Sequence, residues 1–398
     1  MDRYQTSLRL RSAFALAVLS VIGLLYGCQS RVRQAGQQLV QLEADSIDFT
    51  YPVRFDYAKW VRVNNQPRHK ELVILTPGTI DTLATYILYP RSSGRPKGLK
   101  ATDIAIAVPV QRIACLSTPQ IGALPLLGAV DRLVGAFKLE DISNREVRQH
   151  IGEGKVLEIG RGMSENKEAI LMARPEVLLQ DFSNVDTQDN ELIDNGIVPF
   201  LFNSWKEQDL LGRAEWLKVS GMLLGLNQRA DSVFSRIAQD YQESRQIAAN
   251  AKDTIPILYG MDYKGTWYLP GEYSYPTAMF RDAGLKYDYV SGESNSTPVS
   301  FEYIFAHHRY AKIWVSTMGG RMSTKAEFTA LNERYTYFDA AKEGGKIFLD
   351  CKRMNQSGGN DYWESGPYRP DLILKDLIKM TRPELLPDYE LYYFVELK

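Results

Sequence analysis

The sequence has few of the residues on which several protein classes depend. Its 398 residues include three cysteines and four histidines, too few for a disulfide scaffold or a metal site built from histidines. Lysine and arginine number 47 against 48 acidic residues, a net charge of −1, so no charge excess predicts nucleic-acid binding. No GxSxG, HExxH, CxxC or phosphate-loop motif occurs, and nothing therefore predicts an enzyme of those classes.

The remaining composition is that of an ordinary globular protein. Hydrophobic residues make up 44% of the chain and charged residues 24%, which excludes a disordered chain, a collagen and a multi-spanning membrane protein. The length predicts two or three domains. Aromatic residues reach 11%, with 23 tyrosines and 6 tryptophans, and we expect some of them to line a binding surface.

The first 27 residues predict a secretory signal peptide. Three arginines precede an apolar run at 13–27, which is shorter than the roughly 20 residues of a membrane-spanning helix. The run ends in Leu-Leu-Tyr-Gly-Cys28, a pattern similar to a bacterial lipobox, so we expect Cys28 to be acylated and to become the mature N-terminus. The alternatives are an uncleaved membrane anchor and a plain signal peptide without acylation. With either kind of signal peptide, the rest of the chain is expected to be exported.

Export leaves Cys115 and Cys351 as the remaining thiols in an oxidising compartment. Both follow or lie within apolar, strand-like runs, which predicts buried free thiols. The alternative is a disulfide bond that joins two lobes.

Changes of pattern along the chain predict its domains. The polar segment 28–45 is expected to be a tether, and the alternation that begins near residue 49 predicts a β-rich elaboration at 46–100. Apolar runs alternate with helix-like stretches at 101–225 and again at 251–398, which predicts two α/β lobes with parallel sheets. An apolar stripe of helical spacing predicts one long helix at 226–250, between the lobes. The predicted fold class is therefore α/β, with two parallel-sheet lobes joined by one long rigid helix and a β-rich N-terminal elaboration.

Five segments together resemble one known family, through their order and spacing rather than through any single motif. They are 108–118, 168–179, 212–216, 267–271 and 358–366. The chain resembles the solute-binding lipoproteins of ABC importers, of the cobalamin and ferric-siderophore type (class III periplasmic binding proteins), and is most similar to those of the Bacteroidetes. The resemblance covers about residues 100–398.

The resemblance implies a function without catalysis. The expected protein is a monomeric receptor that faces the periplasm, is held to a bacterial membrane by its lipid, and delivers a solute to an ABC permease and its ATPase. The solute is expected to be an iron chelate of siderophore type, with haem or cobalamin as alternatives. No cofactor is expected, although the transported ligand would carry iron or cobalt. An exported carbohydrate-active enzyme or glycan-binding lipoprotein is the alternative of another class, because Asp361 and Glu364 flank two aromatic residues.

The candidate ligand-binding residues are aromatic side chains in loops or after strands and cations that can hold an anionic ligand. They are Trp205, Trp267, Tyr268, Tyr362, Trp363, Arg112, Arg161 and Arg353, and Arg321 is a further cation of this kind. Core packing is the alternative for each aromatic residue, and a solvated surface position is the alternative for each cation. The four histidines predict no metal site.

Glu168 and Glu302 open helix-like stretches of similar pattern, one in each predicted lobe. The resemblance implies that these two glutamates dock with arginines of the permease. The alternative is that each only stabilises the first turn of its helix, which favours an acidic residue. Docking requires both carboxylates to be exposed on the same rim of the cleft, one on each lobe.

Overall fold

The structure is a computed structural model that describes residues 51–100, 103–181, 189–251, 253–317 and 320–398. The predicted signal peptide at 1–27, the acylated Cys28 and the tether at 28–45 lie outside the described residues. Among the described residues, no helix combines the length and the apolar composition that crossing a membrane requires.

Strands and helices alternate through most of the described chain. The strands are β1 (Val61–Asn65), β2 (Lys70–Leu75), β3 (Thr82–Pro90), β4 (Ile104–Val108), β5 (Ile113–Cys115), β6 (Leu133–Ala136), β7 (Leu157–Glu158), β8 (Gly160–Arg161), β9 (Ser164–Glu165), β10 (Val177–Gln180), β11 (Val198–Leu201), β12 (Ile255–Pro256), β13 (Leu258–Tyr259), β14 (Trp267–Leu269), β15 (Leu285–Lys286), β16 (Thr297–Val299), β17 (Ile313–Ser316), β18 (Lys346–Leu349) and β19 (Val395–Glu396). The helices are α1 (Thr118–Ile121), α2 (Ala123–Leu127), α3 (Arg145–Gly152), α4 (Lys167–Ala173), α5 (Asn190–Asp194), α6 (Leu210–Glu215), α7 (Leu217–Leu224), α8 (Asn227–Ala249), α9 (Tyr275–Asp282), α10 (Phe301–His308), α11 (Lys325–Thr329), α12 (Asp361–Glu364) and α13 (Pro370–Thr381).

The N-terminal elaboration is a four-stranded sheet in the order β1-β2-β3-β4. The first three strands are antiparallel neighbours, and β4 lies parallel to β3, with Leu88 opposite Ile106. The sequence pattern predicts 104–108 as part of the following lobe, and this prediction is wrong, because β4 completes the sheet of the elaboration. Its apolar run fits a lobe strand equally well, so the pattern does not reveal its partner.

Two buried carboxylates fix the elaboration to the first lobe. Glu215 of α6 is fully buried and accepts hydrogen bonds from the backbone amides of residues 56–58 at 2.8–3.0 Å. Glu207 accepts from the next two amides, of Lys59 and Trp60, at 2.9 and 3.0 Å. Because a buried carboxylate must have its oxygens satisfied, these five amides determine how the segment lies on the lobe.

The first lobe contains a parallel sheet in the order β11-β10-β5-β6-β7. Its central strands are buried along their whole length and apolar except for Gln180 at the end of β10, as expected of a parallel sheet covered by helices on both faces. Since the strands are parallel, their carboxyl ends share one edge of the sheet.

The second lobe is built in the same way around β13, β17 and β18, which are parallel, with β19 added antiparallel at the edge. β12 and β13 form one strand interrupted at Ile257, and β15 pairs with β12. Aromatic side chains fill this core, with Trp314 and Phe338 completely buried.

The long helix α8 has 23 residues and is therefore about 34 Å long. It begins and ends one residue inside the predicted 226–250. Its buried stripe includes Ala230, Phe234 and Tyr241, and it packs on α7 and on the C-terminal helix α13. The architecture is the predicted α/β fold of two parallel-sheet lobes with one long helix.

Candidate functional site

The two lobes meet through segments that leave the carboxyl ends of their strands. Asn355, beyond the end of β18, donates from Nδ2 to the carbonyl oxygens of Glu140 and Ile142 at 3.0 and 2.9 Å. Both acceptors follow β6 of the first lobe. In open α/β sheets, ligands bind outside the carboxyl ends of the strands, so the candidate site lies where these two edges face each other.

Glu364 of α12 strengthens the same contact. Its carboxylate is completely buried and accepts from the amides of Ser143 and Asn144 in the first lobe, at 2.6 and 3.2 Å. Gly122 lies directly against α12, and a Cβ placed there would be 2.1 Å from the carbonyl oxygen of Glu364. The lobes are therefore in close contact at this point.

Two cavities lie at this contact. The first, called the cleft pocket, has a volume of about 230 Å³ and is formed by the first lobe alone. It is lined by Leu116, Ser117, Thr118, Ile121, Phe137, Lys138 and Asp141. The second, called the inter-lobe groove, has a volume of about 570 Å³, and residues of both lobes line it, among them Asn144, Arg145, Arg353, Asp361 and Tyr392.

A third, much smaller space lies between α6, α9, α12 and α13, and we call it the hinge crevice. Its volume is about 10 Å³, room for about one water molecule. Tyr362 and Trp363, both predicted as ligand-binding residues, line it together with Arg213 and Tyr275. Tyr362 is buried, and its ring packs edge-on against Trp363 at 5.0 Å.

Trp205 is exposed at the carboxyl end of a strand, as its prediction as a ligand-binding residue requires. It follows β11 in a short 3₁₀ helix, Ser204–Lys206, and remains 39% exposed. The ammonium group of Lys206 lies 4.0 Å from the centre of its ring, a cation–π geometry. An exposed aromatic ring with a cation beside it suits an anionic, partly aromatic ligand.

Trp267 does not belong to the site, contrary to its prediction. It is 1% exposed, and its indole donates to the carbonyl oxygen of Tyr259 at 3.0 Å while its ring packs near Trp314. The residues are part of strand β14 rather than a loop, and successive side chains of a strand point to opposite faces. Tyr268 consequently points outward and is 45% exposed.

Arg112 is also not part of the cleft. It immediately precedes β5, at the amino end of the parallel strands, and its guanidinium donates to the carbonyl oxygens of Ala173 and Arg174 at 2.5 and 2.9 Å. It therefore satisfies the C-terminal end of α4. The side chain of Arg161 lies outside the described residues.

Arg353 lines the inter-lobe groove but is already paired. Its Nε donates to Asp361 at 2.5 Å, and its guanidinium lies 4.4 Å from the ring of Tyr392. Arg321, the further cation, donates to the carbonyl oxygens of Met354 and Asn355. Both arginines thus support the segment that reaches the first lobe.

Cys115 and Cys351 are buried and free. Cys115 ends β5, and Cys351 follows β18, in different lobes. Burial raises the pKa of both thiols, so neither is expected to be reactive. The structure thus agrees with free thiols and not with a bridge between lobes.

Three acidic residues beyond the carboxyl ends of strands have raised pKa values; Asp350 and Glu364 are buried and Asp181 is half-buried, and the two aspartates are not among the predicted residues. Asp181 follows β10, Asp350 follows β18, and Glu364 lies in α12. Burial is the main cause that raises the pKa of Asp181 to about 6 and the pKa values of Asp350 and Glu364 to about 7. Each of the two aspartates directly follows an apolar strand, and this sequence pattern could have identified them.

Glu364 should make the stability of the protein depend on pH. Its pKa is 4.5 as an ordinary side chain and about 7 in the folded protein, so between these values the folded state holds a proton that the unfolded chain releases. Its contribution is therefore fully present below pH 4.5 and is lost as the pH rises through 7. In the wild type, we expect the free energy of unfolding to fall by an amount of the order of 2–3 kcal/mol across this window because of Glu364. Glu364→Gln should lack this fall, which is followed through the melting temperature from pH 4.5 to 7.5.

The control is Glu384→Gln, since Glu384 is exposed. Its profile should parallel that of the wild type. A Glu364→Gln profile that also parallels the wild type would contradict the assignment of this pH dependence to Glu364.

No group of three or more His, Cys, Asp or Glu side chains converges as metal ligands would in the part of the chain that the structure describes.

Comparison with known proteins identifies the family. The profile of the periplasmic binding protein family matches residues 113–351. Two uncharacterized lipoproteins of Methanocaldococcus jannaschii are 27% identical over 313 residues (74% of this chain and 75% of that protein) and 22% identical over 308 residues (73% and 70%).

Solved structures show the same fold. A periplasmic heme binding protein from Pseudomonas aeruginosa has a TM-score of 0.54 at 16% identity and covers 73% of this chain and 98% of its own. A periplasmic binding protein from Veillonella parvula has a TM-score of 0.53 at 16% identity, with 69% and 92% covered. The family match confirms the prediction of a solute-binding protein rather than an exported enzyme. With more than half of its length inside the family profile, the chain belongs to the periplasmic binding protein family, the solute receptors of ABC importers.

Proposed function

We propose that this protein is a lipid-anchored receptor that binds an iron chelate of siderophore type between its two lobes and delivers it to an ABC permease. The observation that carries the proposal is the meeting of the two carboxyl edges, where the cleft pocket and the inter-lobe groove lie. Pockets of this kind hold a solute through apolar and aromatic walls and a few fixed polar groups.

The side chains at these edges suit a chelate. Phe137 and Lys138 line the cleft pocket, and Trp205 stands exposed beside Lys206. Such pairs of an aromatic ring and a cation favour anionic, partly aromatic ligands. A chelate also brings its own metal coordination and so needs no cluster of metal-binding side chains from the receptor. Haem is the second candidate, since the similar structure from Pseudomonas aeruginosa is that of a heme binding protein.

Tryptophan fluorescence of the purified full-length protein tests the proposal. Ferric catecholate and hydroxamate siderophores, haemin and cyanocobalamin are titrated separately, and we expect a ferric siderophore to quench the emission reversibly and without turnover. Trp205→Phe should remove a large part of the quenching. Trp314→Phe is the control, because Trp314 is completely buried in the core of the second lobe, whereas Trp205 is exposed at the carboxyl edge of the first lobe. Quenching by haemin alone would favour the second candidate, and the absence of binding by all four ligand classes would refute the proposal.

The anchor is tested by Cys28→Ser. The acyl chains on a lipidated cysteine contribute about 0.8 kcal/mol per buried methylene to membrane binding, and the described residues contain no helix that could replace them. We expect the variant to move from the membrane fraction to the soluble exported fraction, as followed by immunoblotting of fractionated cells. Retention of the variant in the membrane would indicate an uncleaved helix.

The two predicted docking residues meet the condition of exposure. Glu168 and Glu302 lie in the first turns of α4 and α10, capped by Asn166 and Ser300. Glu168 is exposed, and the side chain of Glu302 is 77% exposed, with Arg334 at 3.6 Å. Both helices lead back to the start of a parallel strand, so their N-termini lie on the side of the strands' carboxyl ends. This placement supports a role for both residues in docking to the permease.

Charge reversal separates docking from helix capping. Because exposed charges contribute little to stability, Glu168→Arg/Glu302→Arg should leave the melting temperature and ligand affinity nearly unchanged. Like charges facing each other across the interface should impair docking, so we expect uptake of the chelate by cells to fall at least about tenfold. Glu243→Arg/Glu384→Arg changes the net charge equally at exposed positions and should not affect uptake. Normal uptake by the first variant would disprove the docking role.

A further inference from the structure

Arg213 is a buried cation without an anionic partner. It belongs to α6 and is 8% exposed, and its Nε has no hydrogen-bond partner. Within the described residues, neither an ion pair nor a side-chain hydrogen bond involves its guanidinium. Its guanidinium lies 4.1 Å from the centre of the Tyr275 ring, a cation–π contact.

This arrangement is unusual because a buried charge is costly unless it is paired and hydrogen-bonded. A guanidinium carries five N–H donors in a fixed fork that matches an anion. The cation–π contact leaves the buried Nε of Arg213 without an acceptor. The side chain is therefore poised for a negatively charged group that the chain itself does not supply.

The neighbouring acidic residues do not serve as the anionic partner of Arg213. Asp350 and Asp181 act electrostatically on the same buried tyrosines as Arg213 does, namely Tyr362 and Tyr368 respectively, but burial dominates the pKa of each acid and raises it. The groups that lower those pKa values are Asn360 and the backbone amide of Asp350 itself for Asp350, and Gln120 for Asp181. An ion pair with Arg213 would have lowered the pKa of the acid instead.

The space beside Arg213 has the size of one small group. The hinge crevice holds about 10 Å³ and opens between elements of both lobes, with Tyr362 and Trp363 in its wall. That room suits one halide ion or one carboxylate oxygen, and not a whole chelate. The crevice would therefore take only the charged end of a larger solute.

We infer that Arg213 forms an anion subsite in the hinge crevice, between elements of both lobes, which takes one carboxylate of the bound solute or a small free anion. The inference deepens the proposed function and rests on it for the carboxylate of the solute, though not for the free anion. The inference adds a ligand preference to the proposed function: chelates with a free carboxylate should bind better than chelates without one.

Binding of a small free anion is tested first on the wild-type protein. Crystals of the full-length protein grown in sodium bromide should show an anomalous peak within hydrogen-bond reach of the Arg213 guanidinium. Sodium bromide should also raise the melting temperature more than sodium gluconate at equal ionic strength, because gluconate is too large for the crevice. Arg213→Gln should abolish this difference, whereas Arg62→Gln, at an exposed position of β1, should retain it.

The carboxylate of the solute is tested by comparing ferric citrate, which offers carboxylates, with ferrioxamine, which offers none. We expect Arg213→Gln to weaken the binding of ferric citrate at least about tenfold and to leave ferrioxamine within twofold. Arg213→Lys, which keeps the charge, should recover part of the loss. Equal binding of both chelates by wild type and Arg213→Gln, together with the absence of a bromide peak, would overturn the inference. Failure of the wild type to bind any chelate would instead refute the proposed function, while the bromide result would still decide the subsite.

Discussion

Glu215→Ala is expected to destabilise the protein by about 3–5 kcal/mol, the usual cost of removing one partner from a buried ion pair. Glu215 is fully buried, and its carboxylate also binds Lys218, whose Nζ lies 3.0 Å away. The substitution removes the acceptor of three backbone amides at 56–58 and leaves the ammonium group of Lys218 with Asp231 and the carbonyl of Arg54 as its partners. Glu215 thus accepts hydrogen bonds from three backbone amides and one ammonium group at once.

The effect should be largest where the elaboration rests on the first lobe. The amides of 56–58 lose their acceptor, whereas those of Lys59 and Trp60 keep Glu207. Hydrogen exchange should therefore accelerate by at least about 100-fold at 56–58 and less at the two following residues. Glu215→Ala/Lys218→Met should recover part of the stability, because it removes the buried cation together with its partner.

Glu243→Ala is the control, since Glu243 is exposed on α8 and binds only Gln239. We expect a change within about 0.5 kcal/mol. If Glu215→Ala behaved like this control, the elaboration would not depend on the buried carboxylate for its position.

The sequence allowed the fold to be predicted because its periodicity is strong. Apolar strand runs alternate with helical stretches, and the long helix was located to within one residue at each end. Strand partners were not predictable in the same way. β4 has the composition of a lobe strand, yet pairs with β3, because hydrogen-bond partners depend on the tertiary arrangement and not on local composition.

The site was predictable only in part, and the errors have physical causes. Arg112 precedes its strand and Asp350 follows its strand, and only the carboxyl end of a parallel strand faces a ligand. The direction of the chain could thus have excluded the first residue and suggested the second. Arg213 could not be found in this way, because α6 is buried on all sides, and the sequence alone does not show which helices lie between two lobes.

Gly122→Ala is expected to force the lobes apart and to weaken ligand binding at least about tenfold. Gly122 has helical backbone angles, φ −56° and ψ −21°, which alanine adopts without strain. A Cβ there would nevertheless lie 2.1 Å from the carbonyl oxygen of Glu364 and 3.2 Å from the ring of Tyr368. The obstacle is backbone of the other lobe, so α12 must move by more than 1 Å, and overpacking of this kind costs about 1–3 kcal/mol.

That movement would also break the hydrogen bonds from Ser143 and Asn144 to Glu364, so it acts on the contact that brings the two carboxyl edges together. Small-angle X-ray scattering should show a more open molecule, and fluorescence titration should show the lower affinity. Gly152→Ala is a matched control, because Gly152 ends α3 with no atom within 4 Å of the added Cβ, and it should change neither quantity. A Gly122→Ala protein with unchanged lobe spacing and unchanged affinity would show that this contact does not control access to the cleft. If only the affinity stayed unchanged, the ligand would bind without the close approach of α12 to the first lobe.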